Sequence, residues 1–446
     1  MILNCRRLYF ETPVNLWEHS NMPLFLKKIA DSLGLSMCSP HERIELIFLG
    51  LFLFFLPLRE TPKTFFLVFY LFLWVWNSWR FKRRGNSDLR FEIPLVSIIC
   101  LGLLSSHFSP IGEFTSFRES LDFTLAALLA ICIHRSAYKF SSAIKVFFFF
   151  TTCGVLLGLL EGLARGSESP YLRSVGHINQ VANFLAIFSA IVFALALSEL
   201  RQAIRLRIWI LFLGATLATF LTQSRNATLA IFILLFLYLV LRIASVGFKR
   251  TRIFIFFLLL LFLSGIAVSG FVQKQAAHLT HGSIDTARIK LWITAAEASM
   301  NSPLIGYGPG SFEHVTSEKY IRDLYNKRNE QFPDDKYLHT SHGHNLVFHW
   351  IVERGTLGTL VLIAWILYLA NASVRLLREL HESPHHGPLD HKLALSLRRV
   401  LILFSVVVTV LALGIGNTPL RVEHGLLAMS FIGLCYHRSA EFTKSK

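Results

Sequence analysis

The sequence predicts an all-α, polytopic membrane protein of about twelve transmembrane helices carrying a helical cap outside the bilayer. Three observations predict it. Hydrophobic residues fill 53% of the 446 positions and charged residues only 16%, whereas a soluble domain carries about a quarter charged residues. Apolar runs of a length suited to crossing a bilayer, roughly 17 to 25 residues or fewer where a partner helix helps, recur along the chain. Lys and Arg collect in alternate connections between those runs, as membrane insertion requires.

The runs are 44–58, 65–79, 94–108, 121–134, 143–163, 178–197, 208–221, 227–241, 253–272, 346–370, 400–415 and 425–436. The first is read as an uncleaved span, because a cleavable signal would put a short apolar core close to residue 1. Five connections hold most of the cations, among them Arg80, Arg135, Lys139, Arg201, Arg207, Lys249, Arg375 and Arg398. The opposite connections hold only Arg59, Lys63, Arg118, Arg165, Arg173, Arg225 and Arg421. This bias, about threefold, places both termini in the cytoplasm. Most of the formal charge of +16 is then topological, and no nucleic-acid partner is expected.

The organisation that follows is a cytoplasmic segment 1–43, nine helices over 44–272, a cap over 273–343, three helices over 344–437 and a tail 438–446. Within the first segment, residues 22–33 suit an amphipathic helix on the inner membrane surface. In the cap, Ile284, Ala287, Leu291 and Ala295 have helical spacing. Pro303 to Gly310 then forms a glycine-rich turn that demands positive φ. No strand precedes it, so it is not a dinucleotide-binding turn. The six cysteines include no CxxC pair and imply neither a disulfide framework nor a zinc site.

Polar residues concentrate at the outer ends of the runs or in the external loop: Arg173, His177, Asn179, Gln180, Arg225, Arg288, His339, His342, His344, Asn345, Glu353, Arg421, Glu423 and His424. Ionisable groups at membrane depth are costly and tend to mark function. Arg225 opens the eighth run after a very short connection. It fits an anion clamp, since a guanidinium stays charged and grips phosphate with two parallel hydrogen bonds; a snorkelling side chain or a pair with Glu161 or Glu353 is the structural alternative. Arg288, four residues before Trp292, presents a second guanidinium or is an ordinary helix arginine paired with Asp285. His339, His342 and His344 precede the tenth run, with His349 close behind. Their spacing is not that of an HExxH metal site and no carboxylate ligand is evident, so no metal or other cofactor is expected. One neutral imidazole acting as a base needs less machinery; histidines without a role are the bland alternative.

His344-Asn345, nine residues and Gly355-Thr-Leu-Gly358 together resemble the signature of the bacterial O-antigen ligase family. Three further blocks are similar to the same family: Ser174-Val-Gly-His-Ile-Asn-Gln180, Gln223-Ser-Arg225-Asn-Ala, and Arg288-Ile-Lys-Leu-Trp292 leading to Pro303 and Gly306-Tyr-Gly-Pro-Gly-Ser-Phe312. The resemblance spans roughly residues 44–437 and implies a metal-independent, membrane-embedded glycosyltransferase of the C type, active on the periplasmic face of the inner membrane. Its donor is a glycan on undecaprenyl pyrophosphate. Ligases transfer that glycan to the lipid A–core oligosaccharide, polymerases extend it, and protein O-oligosaccharyltransferases place it on protein hydroxyls. The last group commonly has an added C-terminal soluble region; this chain stops soon after its last run, which favours a ligase.

By that resemblance Arg225 and Arg288 stabilise the departing pyrophosphate and His344 is the base. Asn345 orients that histidine or holds a sugar, His342 binds substrate, and Arg173, His177, Asn179 and Gln180 form either a sugar-binding group at the mouth of the site or a buried helix-to-helix hydrogen-bonding cluster. No carboxylate is placed to form a covalent glycosyl intermediate, so one displacement with inversion is expected. A transporter fits less well, because transport calls for substrate groups near the bilayer midplane, where these runs carry almost no charge.

Overall fold

The computed structural model describes residues 24–81, 87–136, 138–246, 284–333, 337–340, 342–382, 391–420 and 422–436. The predicted run 253–272, the start of the cap and Arg421 lie outside the described residues. Regular structure among the described residues is wholly helical. The α-helices are α1 (Leu24–Ser32), α2 (Pro40–Phe55), α3 (Glu60–Arg80), α4 (Leu89–His107), α5 (Glu113–Arg135), α6 (Phe140–Ala164), α7 (Ile178–Ser198), α8 (Gln202–Leu221) and α9 (Arg225–Val246). They continue with α10 (Ile284–Ser299), α11 (Phe312–Val315), α12 (Glu318–Lys327), α13 (Leu346–Glu382), α14 (His391–Gly414) and α15 (Val422–Cys435).

Among the described residues six helices, against the twelve expected from the apolar runs, can cross a membrane by length and composition: α4, α6, α7, α8, α13 and α14. Shorter apolar stretches lie in α9 and α15. The chain is a multi-pass membrane protein. Several helices start well before the apolar run that announced them: α5 at Glu113 rather than 121, α8 at Gln202 rather than 208, α14 at His391 rather than 400. Their first turns are polar, and hydropathy reports what faces lipid rather than where the backbone becomes helical. The starts are set locally, as at α2, where Ser39 and Glu42 form a reciprocal capping box and Pro40 occupies the first turn.

Helix α7 runs through the middle of the bundle with nearly all of its membrane-length window buried. Its neighbours are α8, α9, α14 and α15. In contrast, α3 turns Phe65, Phe69, Phe72, Trp76 and Trp79 outward, a stripe at helical spacing that faces lipid. The connections that the charge pattern sorted into two sets also join in two groups. In one, the Glu45 carboxylate accepts from Asn77 and Tyr138, both at 2.6 Å, Arg135 grips Glu92 through two hydrogen bonds of 2.8 and 2.5 Å, and Arg398 bonds Glu199 at 3.0 Å. In the other, Lys63 forms a buried ion pair with Glu423, and the Ser116 hydroxyl donates to the Pro309 carbonyl of the cap at 2.8 Å.

The cap has its own small core. Leu291, Ala295 and Ala298 of α10 pack with Tyr307, Phe312, Val315, Ile321, Leu324 and Val352; of the four positions read from the sequence as helically spaced, Leu291 and Ala295 lie in this core. Cap and bundle are joined at a break in α13. Gly355 there has φ 66° and ψ −176°, and the two helical bonds that would link Thr356 to Val352 and Leu357 to Glu353 are replaced by four to the glycine-rich turn. Tyr307 N–H donates to Val352 O at 2.9 Å and Gly308 N–H to Glu353 O at 2.8 Å; Thr356 N–H donates to Pro303 O at 2.8 Å and Leu357 N–H to Leu304 O at 3.2 Å. The approach is so close that a Cβ on Gly306 would lie 2.5 Å from Gly355 N, and one on Gly355 would lie 2.1 Å from Leu304 O. Gly355→Ala therefore combines a disfavoured φ with a backbone clash and should remove roughly 2–4 kcal/mol of stability. A lowered melting temperature of the detergent-purified protein would register this, whereas Gly214→Ala in α8, facing open space, should be neutral or slightly stabilising.

Candidate functional site

Five elements converge where the cap meets the bundle: the segment before α7, the start of α9, helix α10, the start of α13 and the end of α14. Asn345 caps α13, its side-chain oxygen accepting from Val347 N–H at 2.8 Å and Phe348 N–H at 3.2 Å. Its amide nitrogen donates to Ile415 O at 2.9 Å. Asn226, next to Arg225, donates in the same way to Leu413 O at 2.8 Å. Carbonyls at the end of a helix need such outside donors, so each asparagine pins one motif residue, His344 or Arg225, against the end of α14. Gly416 stands between them. A Cβ there would lie 2.8 Å from Asn226 Oδ1 and 3.5 Å from Arg288 Nη1. The missing side chain makes room for Asn226, and the Arg288 guanidinium of the cap lies at the same glycine beside the first turn of α9, where Arg225 sits half-buried. Behind Arg288, Trp292 stacks on Phe348 with centroids 5.5 Å apart.

His344 has a left-handed backbone, φ 44°, uncommon for a residue with a side chain. It is half-buried. Burial is the chief cause that lowers its pKa from the usual 6.5, and the charges of Arg288, His349 and His177 act in the same direction. The neutral imidazole, with a free lone pair, is the favoured form near neutral pH. Since the unfolded chain takes up this proton more readily, the group withdraws stability as pH falls through 6.5. Beneath it, buried His349 places Nε2 3.3 Å from Glu353 Oε2, an electrostatic contact without good hydrogen-bond alignment. Its Nδ1 lies 3.5 Å from Gly343 N–H. Glu353 Oε1 accepts from Gly310 N–H at 2.9 Å, tying the glycine-rich turn to this corner. A cavity of about 20 Å³ beside them, lined by Glu119, Asp122, His349, Glu353 and Arg354 among others, has room for one water. Among the described residues no three His, Cys, Asp or Glu side chains are grouped to hold a metal ion.

The structure thus brings together His344, Asn345, Arg288 and His177, with Arg225 adjacent through Asn226 and His342 edge-on to His349 at 6.3 Å between ring centroids. His177 caps α7, its Nδ1 accepting from Asn179 N–H at 3.2 Å. Asn179 and Gln180 occupy that first turn, half-exposed. Arg173 belongs to a different group around Glu161, together with Arg59 and Arg165; Glu161, weighed above as a partner for Arg225, is the carboxylate of that group. Asn226 stood in the Gln223-Ser-Arg225-Asn-Ala block with no role assigned to it, and Gly416 carried no signal in the sequence. Lys63, read as an outer-loop cation, is buried against Glu423, with the Glu60 carboxylate 2.9 Å away. Arg354 is buried too, its guanidinium 4.8 Å from the Trp350 ring centre and 5.3 Å from that of Phe123; its signal was a charge inside an apolar run.

Fold and site together define a multi-pass membrane protein with a polar site where one end of its bundle meets a helical cap. Residues 209–363 match the family described as O-Antigen ligase. The match takes in Arg225, Arg288, His344, Asn345 and the break at Gly355, while the block 174–180 lies outside it. The family implies lipid-linked glycan substrates and a glycosyltransferase-like enzyme. No curated protein matches the chain.

Asn345 can be tested for its double role apart from any activity. Asn345→Ala loses both the cap and the donor to Ile415 and should cost about 1–2 kcal/mol. Asn345→Asp keeps the acceptor but not the donor. Its melting temperature in the same detergent should fall between those of the alanine variant and the unchanged protein.

Proposed function

We propose that the protein transfers a glycan from undecaprenyl pyrophosphate to the lipid A–core oligosaccharide, on the periplasmic face of the bacterial inner membrane, with both termini in the cytoplasm. The observation that carries this reading is the meeting of Arg288 with the first turn of α9 at Gly416, within electrostatic reach of a neutral His344. The family description supports the ligase form, and the sparsely charged connections that gather at this end support its periplasmic placement.

In the reaction an acceptor hydroxyl of the core attacks the anomeric carbon of the donor glycan. The bond from that carbon to the pyrophosphate oxygen breaks, and its electron pair leaves with the lipid pyrophosphate. His344 accepts the hydroxyl proton, and the configuration inverts. Arg225 and Arg288 hold the leaving oxygens, where charge grows as the bond breaks; donors aimed at developing charge are among the largest contributions to catalysis. Asn345 keeps His344 at the helix start. His177, Asn179, Gln180 and His342 contact the sugar, and the fold is of the membrane-embedded C type. A polymerase would share the donor and the arginines and differ only in its acceptor, a second lipid-linked glycan.

Two tests follow. Arg225→Lys or Arg288→Lys keeps the charge but loses the two-pronged geometry, and turnover should fall roughly 10- to 100-fold; full activity in both lysine variants would remove the clamp. A strain lacking the gene, and the same strain carrying His344→Ala, should show free core on a lipopolysaccharide gel, with no ladder and with long polymer retained on the carrier. A single-repeat band on the core would indicate the polymerase, and a normal ladder in the His344→Ala strain would remove the base.

A further inference from the structure

Three of the few arginines on the sparsely charged side converge on one carboxylate. Glu161 Oε1 lies 3.0 Å from Arg59 Nη2, 2.5 Å from Arg165 Nη2 and 3.9 Å from Arg173 Nη1. They arrive from three places in the chain: the residue before α3, the end of α6 and the segment leading to α7. Local packing explains the meeting. Gly158 and Gly162 leave one face of α6 bare, so that a Cβ on either would touch Leu172 or Tyr171 at 2.7 or 3.0 Å. Segment 171–175 lies on that face with Leu172 and Val175 buried, and Arg173, between them, points outward.

Among the described residues Glu161 is the one carboxylate within ion-pair distance of the three guanidinium groups, and the end of α6 adds only about half a negative charge. Glu168, in the following loop, makes no ion pair among the described residues. Lys63 nearby is already held by Glu60 and Glu423. The three arginine side chains remain 40 to 47% exposed, so several of their donors face outward. Three arginines gathered on one carboxylate, at connections that insertion keeps poor in cations, need a reason beyond holding that carboxylate.

The surface directly below is apolar. Leu156, Leu160 and Leu163 follow one another at helical spacing on α6 with Leu157 beside them, and all four are exposed, Leu163 by 71%. Arg165 caps this same helix. Guanidinium groups at the membrane boundary above an acyl-facing stripe suit one chemical class, an amphiphile with a phosphate headgroup. Arg173 is four residues from His177, so at most about 14 Å of chain separates this group from the site around His344.

We propose that Arg59, Arg165 and Arg173, gathered round Glu161 at the end of α6, dock the phosphate of a phosphorylated lipid whose chains lie along the exposed leucines of that helix. Its role as the glycan acceptor rests on the function proposed above; the binding does not. The site is separate from Arg225 and Arg288 and fixes which lipid is brought to them.

The test uses the full chain in detergent and lipid A as probe, beside the same lipid with its phosphates removed and inorganic phosphate as competitor, with bound lipid counted by native mass spectrometry. The unchanged protein should prefer the phosphorylated form. The combined Arg59→Gln, Arg165→Gln and Arg173→Gln variant should lose that preference and bind about tenfold more weakly or worse, with the acceptor KM raised and the donor KM unchanged. Glu161→Gln removes the competing acceptor and should bind at least as tightly as the unchanged protein. Weakened binding in a monodisperse, fully folded Glu161→Gln variant, or an unaltered preference in the arginine variant, would make the group a structural ion network and overturn the proposal. Displacement by inorganic phosphate as effective as by the lipid would overturn the lipid as its occupant. Charge-dependent lipid binding without any glycan transfer would uphold this site and refute the proposed function.

Discussion

The arrangement depends on the break in α13. Two helical hydrogen bonds are given up at Gly355 and four are made to residues 303–308, so the cap is fixed to the bundle by backbone rather than by flexible side chains. Backbone bonds of this kind set position closely, because neither partner has rotamers to explore. With that turn in place, α10 stands where Arg288 reaches Gly416, and the part of α13 before the break carries Asn345 and His344 at its start. Glu353 adds a side-chain link by accepting from Gly310 and facing His349. The second glycine of the motif has a separate reason: a Cβ on Gly358 would lie 2.8 Å from Cβ of Arg354, the buried arginine one turn earlier.

Cations at this end of the molecule fall into distinct physical classes. Lys63 is buried with Glu423, and a buried pair of this kind gains little net stability once desolvation is counted. Its value lies in position: Ser174 reaches the same two carboxylates, Glu60 and Glu423, at 3.3 and 3.4 Å, so α3, α15 and the segment before α7 are held together. Arg354, packed on aromatic rings, is likewise part of the scaffold. Arg288 and the arginines around Glu161 differ in being open to solvent, the condition for meeting an anion that comes from outside the protein.

Much of this was legible in the sequence and some could not be. Seven of the twelve apolar runs lie wholly within described helices and four more overrun one by one to three residues, although only six described helices are long and apolar enough to cross a membrane; the glycine turn has positive φ at Gly306, Gly308 and Gly310, as its composition demanded. Which helix is central was hidden. Lipid tails are as apolar as a protein core, so the buried α7 and the lipid-facing stripe of α3 look alike as hydropathy. The residues of the site were visible as motifs because their side chains carry distinctive chemistry. Their assembly was not, since it depends on Asn226 and Gly416, one an ordinary amide and the other important for what it lacks. Arg59 and Arg165 were visible only as exceptions to a charge rule, and Arg173 as a residue expected to bind substrate; Arg165 meets Glu161 at helical spacing, but Arg59 reaches it across 102 residues of chain, which no local pattern records.

Arg288 connects anion binding and base strength on the proposed reading. Its charge helps to keep His344 neutral, and the same charge attracts a pyrophosphate. Once that anion is bound, its negative charge screens the guanidinium as seen from His344, and the imidazole's affinity for a proton rises. The base is therefore kept deprotonated while the site is empty and becomes stronger when the donor is in place. A neutral residue at position 288 would forfeit both effects, whereas lysine would retain the electrostatic one and lose the planar grip.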